Sequence, residues 1–260
     1  MTSIAYLLTG LVSGFLAGLL GVGGGLVIVP VLAFVFESER LEPDHAFHFA
    51  LGTSLACIVL TALSSVIVHN RHHAVNWQVF RRITPGILIG TFFGSRLAMR
   101  LPAAHLKAFF ALFACYTAAR LFFDIKPKPT RTLPGSFGMT ASGILIGAVS
   151  SLAGIGGGSM CVPFFSWCNM KMTDAIGTSS AVVFSVAVAG TFWYGIEGFS
   201  LEGLTRYSAG FVYLPALFFL AIGSVSAVPL GARLAHRLPV ARLKKVFALV
   251  LLVIAAKLIL

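Results

Sequence analysis

The sequence predicts an all-α, polytopic membrane protein of two homologous halves, and three observations carry that prediction. Hydrophobic residues make up 58% of the chain and charged residues only 10%, with a mean hydropathy of +0.94, whereas soluble domains carry about 25% charged residues. The apolar residues gather in blocks of about 20 or more, the length that crosses about 30 Å of hydrocarbon. A glycine run, Gly21-Val22-Gly23-Gly24-Gly25, returns as Gly154-Ile155-Gly156-Gly157-Gly158, each followed five residues later by a proline, Pro30 or Pro163. The short alternating segments of a transmembrane β-barrel are missing.

The repeat extends beyond glycine. Gly52-Thr53-Ser54 matches Gly177-Thr178-Ser179, Gly94-Ser95-Arg96-Leu97-Ala98 matches Gly231-Ala232-Arg233-Leu234-Ala235, and Arg100-Leu101-Pro102 matches Arg237-Leu238-Pro239. The spacing between copies runs 133, 125 and then 137 residues, changing only across polar connections, where insertions are tolerated. Residues 1–125 form the first repeat and 137–260 the second. Between them, 126–136 is a polar linker with Lys126, Pro127, Lys128, Pro129, Arg131, Pro134 and Gly135, a helix-breaking composition. Helices are expected at 3–20, 24–36, 45–69, 79–99 and 103–123, and again at 137–152, 157–169, 174–195, 207–233 and 240–260.

The glycine segments do not read as ordinary spans. Residues 4–36 in one helix would run about 50 Å against a core of about 30 Å. Two shorter helices that enter from one side, turn at the glycines near the midplane and leave by the same side fit better. Each half then has three crossings and the second half is inverted. Of the 19 Lys and Arg, this places Arg40, Arg96, Arg100, Lys107, Arg206 and Lys257 outside and leaves 13 inside, as the positive-inside rule requires. Single crossings by the glycine segments would make the halves parallel and split the charges 9 to 10. Residues 1–36 carry no charged side chain, so the basic start of a signal peptide is absent and the first segment is expected to remain in the membrane domain.

The chemistry is expected at the broken helices. Where a helix restarts inside a membrane, its first N–H groups lack partners and carry the positive end of the helix dipole, which suits an anion. Irregular backbone at that depth is tolerated only where protein or a cavity covers it, and inverted-repeat transporters bind substrate at such breaks. Gly23, Gly24 and Gly25, with Gly156, Gly157, Gly158 and Ser159, are therefore candidate binding residues. Thr53, Ser54, Thr178 and Ser179 add hydroxyls that can donate to an anion without a buried charge. The competing reading is that small residues pack helices closely and hydroxyls cap them.

Other classes fit less well. The net charge of +11 sits in short connections rather than on one face, so no nucleic-acid partner is expected. The glycine runs lack the strand and spacing of a dinucleotide fingerprint. A serine hydrolase needs one catalytic set, whereas the Gly-Thr-Ser motif occurs in both halves, so no enzyme is expected. His69 and His73 have a metal-compatible spacing without a third ligand, and Cys57, Cys115, Cys161 and Cys168 show no paired ligand spacing; no metal or cofactor is called for. Trp193 and Tyr194 suit an interfacial aromatic belt. Asp174, opposite Phe49 in the repeat, is a candidate for proton coupling or simply for helix N-terminal charge stabilisation.

With these motifs assembled, the chain resembles the TauE/SafE family of sulfite exporters over essentially its whole length. The resemblance implies a multi-pass permease of the bacterial inner membrane for small organosulfur anions such as sulfite, sulfoacetate or related sulfonates. It assigns the family's functional positions to the two glycine runs and the Thr-Ser pairs. Partners would be the anion and the lipid bilayer, with a homodimer left open. An anion channel or a carboxylate transporter would share the same donors.

Overall fold

A computed structural model describes residues 2–20, 24–42, 44–123, 131–199, 205, 207–235 and 240–259. The first half comprises α1 (Thr2–Leu20), α2 (Gly25–Ser38), α3 (Ala46–Arg71), α4 (Trp77–Arg100) and α5 (Ala103–Phe122). The second comprises α6 (Ser136–Leu152), α7 (Gly158–Trp167), α8 (Met172–Phe199), a hairpin of β1 (Ser208–Ala209) and β2 (Val212–Tyr213), α9 (Leu214–Ala235) and α10 (Val240–Ile259). By length and composition α3, α8 and residues 214–231 of α9 can each cross a membrane. The chain is a polytopic helical membrane protein.

Both glycine runs separate the arms of a helical hairpin. At the open end of the first, Thr2 donates to the Glu39 carboxylate at 2.6 Å and Tyr6 packs edge-on against Phe36, so α2 runs back along α1. At the open end of the second, the Arg131 N–H reaches the Trp167 carbonyl at 3.3 Å and its guanidinium lies 4.8 Å from the indole. This joins the approach to α6 with the end of α7.

The halves interlock by exchanging partners. The first helix of each half lies along the fourth-position helix of the other, α1 on α9 and α6 on α4. Lipid gives helices no hydrophobic drive to associate, so close backbone approach must supply the contact. A Cβ on Gly10 would lie 2.5 Å from the Leu220 carbonyl oxygen, and one on Gly147 would lie 2.5 Å from that of Ile87. The repeat-equivalent helices α3 and α8 cross antiparallel. Gly52 faces Tyr194, Leu55 faces Gly190, and the Ala74–Asn76 turn meets Gly177 and Thr178.

Among the described residues the carboxylates other than Asp174 gather at one end of this bundle, together with Arg40 and Arg100. Glu37, Glu39, Glu42, Asp44 and Glu197 lie there, and Lys107 pairs with Glu37 and Arg96 with Glu197. Arg71, Arg81, Arg82, Arg131 and Lys171 lie at the other. The Arg96–Lys107 loop, a basic cluster expected on the outside, therefore has two of its cations neutralised by carboxylates.

Two local expectations are corrected. The helix expected from residue 207 begins at Leu214, because Gly210 takes a left-handed conformation (φ 59°) that turns the β1–β2 hairpin, and Pro215 then suits a first helical turn. Tyr194 is no belt residue. The α8 helix continues to Phe199, and Tyr194 is buried at 0% exposure with its hydroxyl donating to the Ser151 carbonyl at 3.1 Å.

Candidate functional site

The glycine turns touch where α3 crosses α8. A Cβ on Gly25 would lie 2.7 Å from the Gly154 carbonyl oxygen and 3.0 Å from the Ile155 Cα, and Gly156 sits between Ile58 and Val183. Ser54 holds the second turn by donating to that Gly154 carbonyl at 2.9 Å. Gly23 lies outside the described residues. Gly24 caps α2 in a right-handed conformation, and Val27 and Ile28 donate back to its carbonyl.

Thr53 and Thr178 are not brought together. Thr53 accepts from the Tyr213 N–H and Thr178 from the Asn76 N–H, each at 2.9 Å and each across the two halves. Because α3 and α8 are antiparallel, these bonds fall at opposite ends of the crossing, where they brace the turns leading into α9 and α4.

The α7 turn is different in kind. Gly157 caps α7 at φ 85°, a conformation that side-chain-bearing residues rarely adopt. The hydrogen-bond ladder of α7 begins with Met160 and Cys161 donating to the Gly157 carbonyl, so the N–H groups of Gly158 and Ser159 precede it. Three buried hydroxyls gather here. Ser150 Oγ, at 1% residue exposure, occupies the space beside Gly157, only 2.7 Å from where a Cβ would stand. Ser159 lies in the first turn at 6%, and Ser179 at 1% faces the weakly bonding Cys161 thiol. Ser150 and Ser159 have no hydrogen-bond partner among the described residues, and Ser179 has only the thiol. Buried hydroxyls are ordinarily bonded, so these are chemically able to donate to a ligand, although Thr91, Ser95, Thr117 and Thr191 also carry hydroxyls without a described partner.

Arg120, at the end of α5, reaches the same turn. Pro163 has no N–H and so leaves the Ser159 carbonyl, four residues earlier, without its helical donor. Arg120 Nη1 takes that place at 3.1 Å. Helix dipole, hydroxyls and a guanidinium thus converge on one turn, an inventory chemically suited to an anion.

Residues 21–23 of the first turn lie outside the described residues, and the described hydroxyls beside it are paired. Ser13 and Ser224 both donate to the Gly10 carbonyl at 3.1 Å, lie 3.3 Å from each other, and Ser224 meets the Cys57 thiol at 3.6 Å. Ser150 and Arg120 escaped the sequence reading. The Ser150-Ser151 pair before the glycine run was a visible signal, whereas Arg120 looked like any cation at a helix end.

The remaining candidates lie elsewhere. Asp174 sits in the first turn of α8 with Thr173 donating to its carboxylate at 3.1 Å. His48 is buried against the Ala98 carbonyl and Phe211, while His72 and His73 are exposed. Among the described residues no group of three His, Cys, Asp or Glu converges as a metal site would need.

Comparison with known proteins adds the lineage. The family model described as sulfite exporter TauE/SafE matches residues 6–258. A probable membrane transporter protein of Haemophilus influenzae is 36% identical over 96% of this chain and 95% of its own. Similar proteins of the same description occur in Methanocaldococcus jannaschii, at 28% over 89% of this chain and 86% of its own, and in Bacillus subtilis, at 27% over 99% and 100%. No solved structure matches. Two interlocked helical hairpins, the paired glycine turns and a match over nearly the whole length lead to one conclusion: the chain belongs to the TauE/SafE sulfite exporter family of membrane transporters.

Proposed function

We propose that this membrane transporter carries small organosulfur anions, sulfite and sulfonates such as sulfoacetate, across a bacterial inner membrane. The observation that supports this most directly is the α7 turn, where the hydroxyls of Ser150 and Ser159, without a partner among the described residues, and that of Ser179, held only by a thiol, lie beside a helix N-terminus. The oxygens of a sulfonate or sulfite can accept several such donors at once. A cation would need carboxylates or carbonyls instead. Ser54 and the glycines Gly24, Gly25, Gly156, Gly157 and Gly158 shape the turns, and Thr53 and Thr178 serve as braces rather than ligands.

The arrangement also suits alternating access. One hairpin opens to the end of the bundle that holds Glu37 and Glu39 and the other to the basic end, and their turns meet at the α3–α8 crossing. An anion held there is approachable along either hairpin. The antiparallel run of repeat-equivalent helices supports an inverted arrangement of the halves, with the basic end in the cytoplasm.

The test is transport in proteoliposomes. Labelled sulfite and sulfoacetate should accumulate against their own gradients when an ion gradient is imposed. Flux that only dissipates a gradient would instead mark a channel, and accumulation of acetate without the sulfur anions would mark a carboxylate transporter.

A further inference from the structure

We propose that Arg120 is the charge-reading, specificity-determining residue of this transporter, and that the anion site is confined to the second of the two repeats. The inference rests on the α7 turn being the substrate site. One N–H of Arg120 is fixed on the Ser159 carbonyl that Pro163 leaves free. A guanidinium has five donors in a rigid fork, so the bond anchors the group, and the other four N–H donors make no hydrogen bond to the described residues. The ring of Tyr116, 5.9 Å from the guanidinium carbon, flanks it, and no described carboxylate forms an ion pair with it. A half-buried guanidinium with spare donors, beside unpaired hydroxyls, is matched to two oxygens of an oxyanion.

The first repeat keeps the proline but not the constellation. At a spacing of 133 residues, Pro163 corresponds to Pro30, Ser159 to Leu26 and Ser150 to Ala17. At a spacing of 137, Arg120 corresponds to Lys257, whose ammonium lies 3.9 Å from the centre of the Phe34 ring, two turns further out along α2. The carbonyl freed by Pro30 therefore faces no counterpart of the Arg120 anchor. Duplication supplied two turns, and substitutions left charge recognition in one.

The guanidinium reading predicts graded losses. Replacing Arg120 removes a charged, two-point contact; a lysine keeps the charge as a point and loses the fork. Affinities for methanesulfonate and sulfite should be measured by calorimetry on the purified full chain, with melting temperatures of the ligand-free proteins in parallel. Arg120→Gln should weaken methanesulfonate binding about 30-fold or more and Arg120→Lys about 5- to 20-fold, as expected for charge-assisted contacts. Lys257→Gln should leave it within about twofold. Because methanesulfonate and arginine both stay ionised from pH 5 to 9, the parent's affinity should be flat across that range.

A purely structural role is separable. If Arg120 acted only by capping the Ser159 carbonyl, Pro163→Ala would restore the helical donor, and Arg120→Gln in that background would then be neutral for binding. A continued loss there supports direct contact, and neutrality overturns it. Should Arg120→Gln not be monodisperse, Arg120→Lys decides, and affinity equal to the parent's overturns the proposal. Equal weakening by Lys257→Gln overturns the confinement to one repeat. A parent that binds neither probe overturns the organosulfur reading itself, whereas a binding parent with an indifferent Arg120→Gln overturns only the assignment of Arg120.

Discussion

The Thr53 hydroxyl accepts the backbone N–H of Tyr213 at 2.9 Å, and its repeat counterpart Thr178 does the same for Asn76. Each bond runs from one half of the chain into the other, so the shared Gly-Thr-Ser motif staples the repeats together. The hydroxyl oxygen is the acceptor, an arrangement that serves the fold before any ligand arrives.

Thr53→Val and Thr178→Val should therefore act on stability. Each nearly preserves shape but strands a partly buried N–H, which costs about 1–3 kcal/mol. Lowered melting temperatures with sulfonate affinity within about twofold of the parent are expected from thermal melts and calorimetry. A tenfold affinity loss at unchanged stability would return these threonines to the binding site.

The serines should behave oppositely. Ser150→Ala or Ser159→Ala removes a buried hydroxyl that has no partner among the described residues. Ligand-free stability should hold or rise by up to a few degrees. Each change should lower affinity for a sulfonate about 10- to 150-fold, the equivalent of about 1.5–3 kcal/mol for a bond to a charged group. Stabilisation combined with lost binding is what a site built at the expense of stability predicts.

Gly25→Ala should damage transport while Gly135→Ala should not. The new methyl at Gly25 would meet the backbone of Gly154 and Ile155, which cannot step aside as a side chain can, at a cost of about 1–3 kcal/mol. At Gly135 a Cβ has nothing within 4 Å. Uptake assays corrected for the amount of folded protein compare the two directly.

Topology is open to labelling with an impermeant maleimide in a Cys115→Ala background. Cys57, Cys161 and Cys168 are buried. Burial also pushes the Cys168 thiol above its ordinary range, an effect that nearby Arg131 partly opposes, so little thiolate is available to react. Asp44→Cys should label on intact cells, while His73→Cys and Lys171→Cys should label only after permeabilisation. Labelling of His73→Cys and Lys171→Cys from opposite sides would mean that the halves run parallel.

The fold class and the helix breaks at the glycine runs were legible in the sequence because each depends on local chemistry. Apolar blocks of spanning length and the glycine runs that interrupt them act on the chain where they stand; the expected polar linker lies in part, at 126–130, outside the described residues. Among the described residues, nine of the ten helices begin and end within a few residues of where the pattern puts them. The exception, α9, was shortened by a hairpin that a single left-handed Gly210 turns. Tertiary structure decided the rest. Thr53 and Ser54 are neighbours in sequence, yet packing sends one to Tyr213 and the other to Gly154. Arg120 and Lys257 are equivalent in the repeat, and only Arg120 reaches a turn where a proline has freed a carbonyl. Repeats dictate which residues correspond, but a hydrogen bond depends on what lies within about 3 Å in space, and that is set by helices packed from opposite halves.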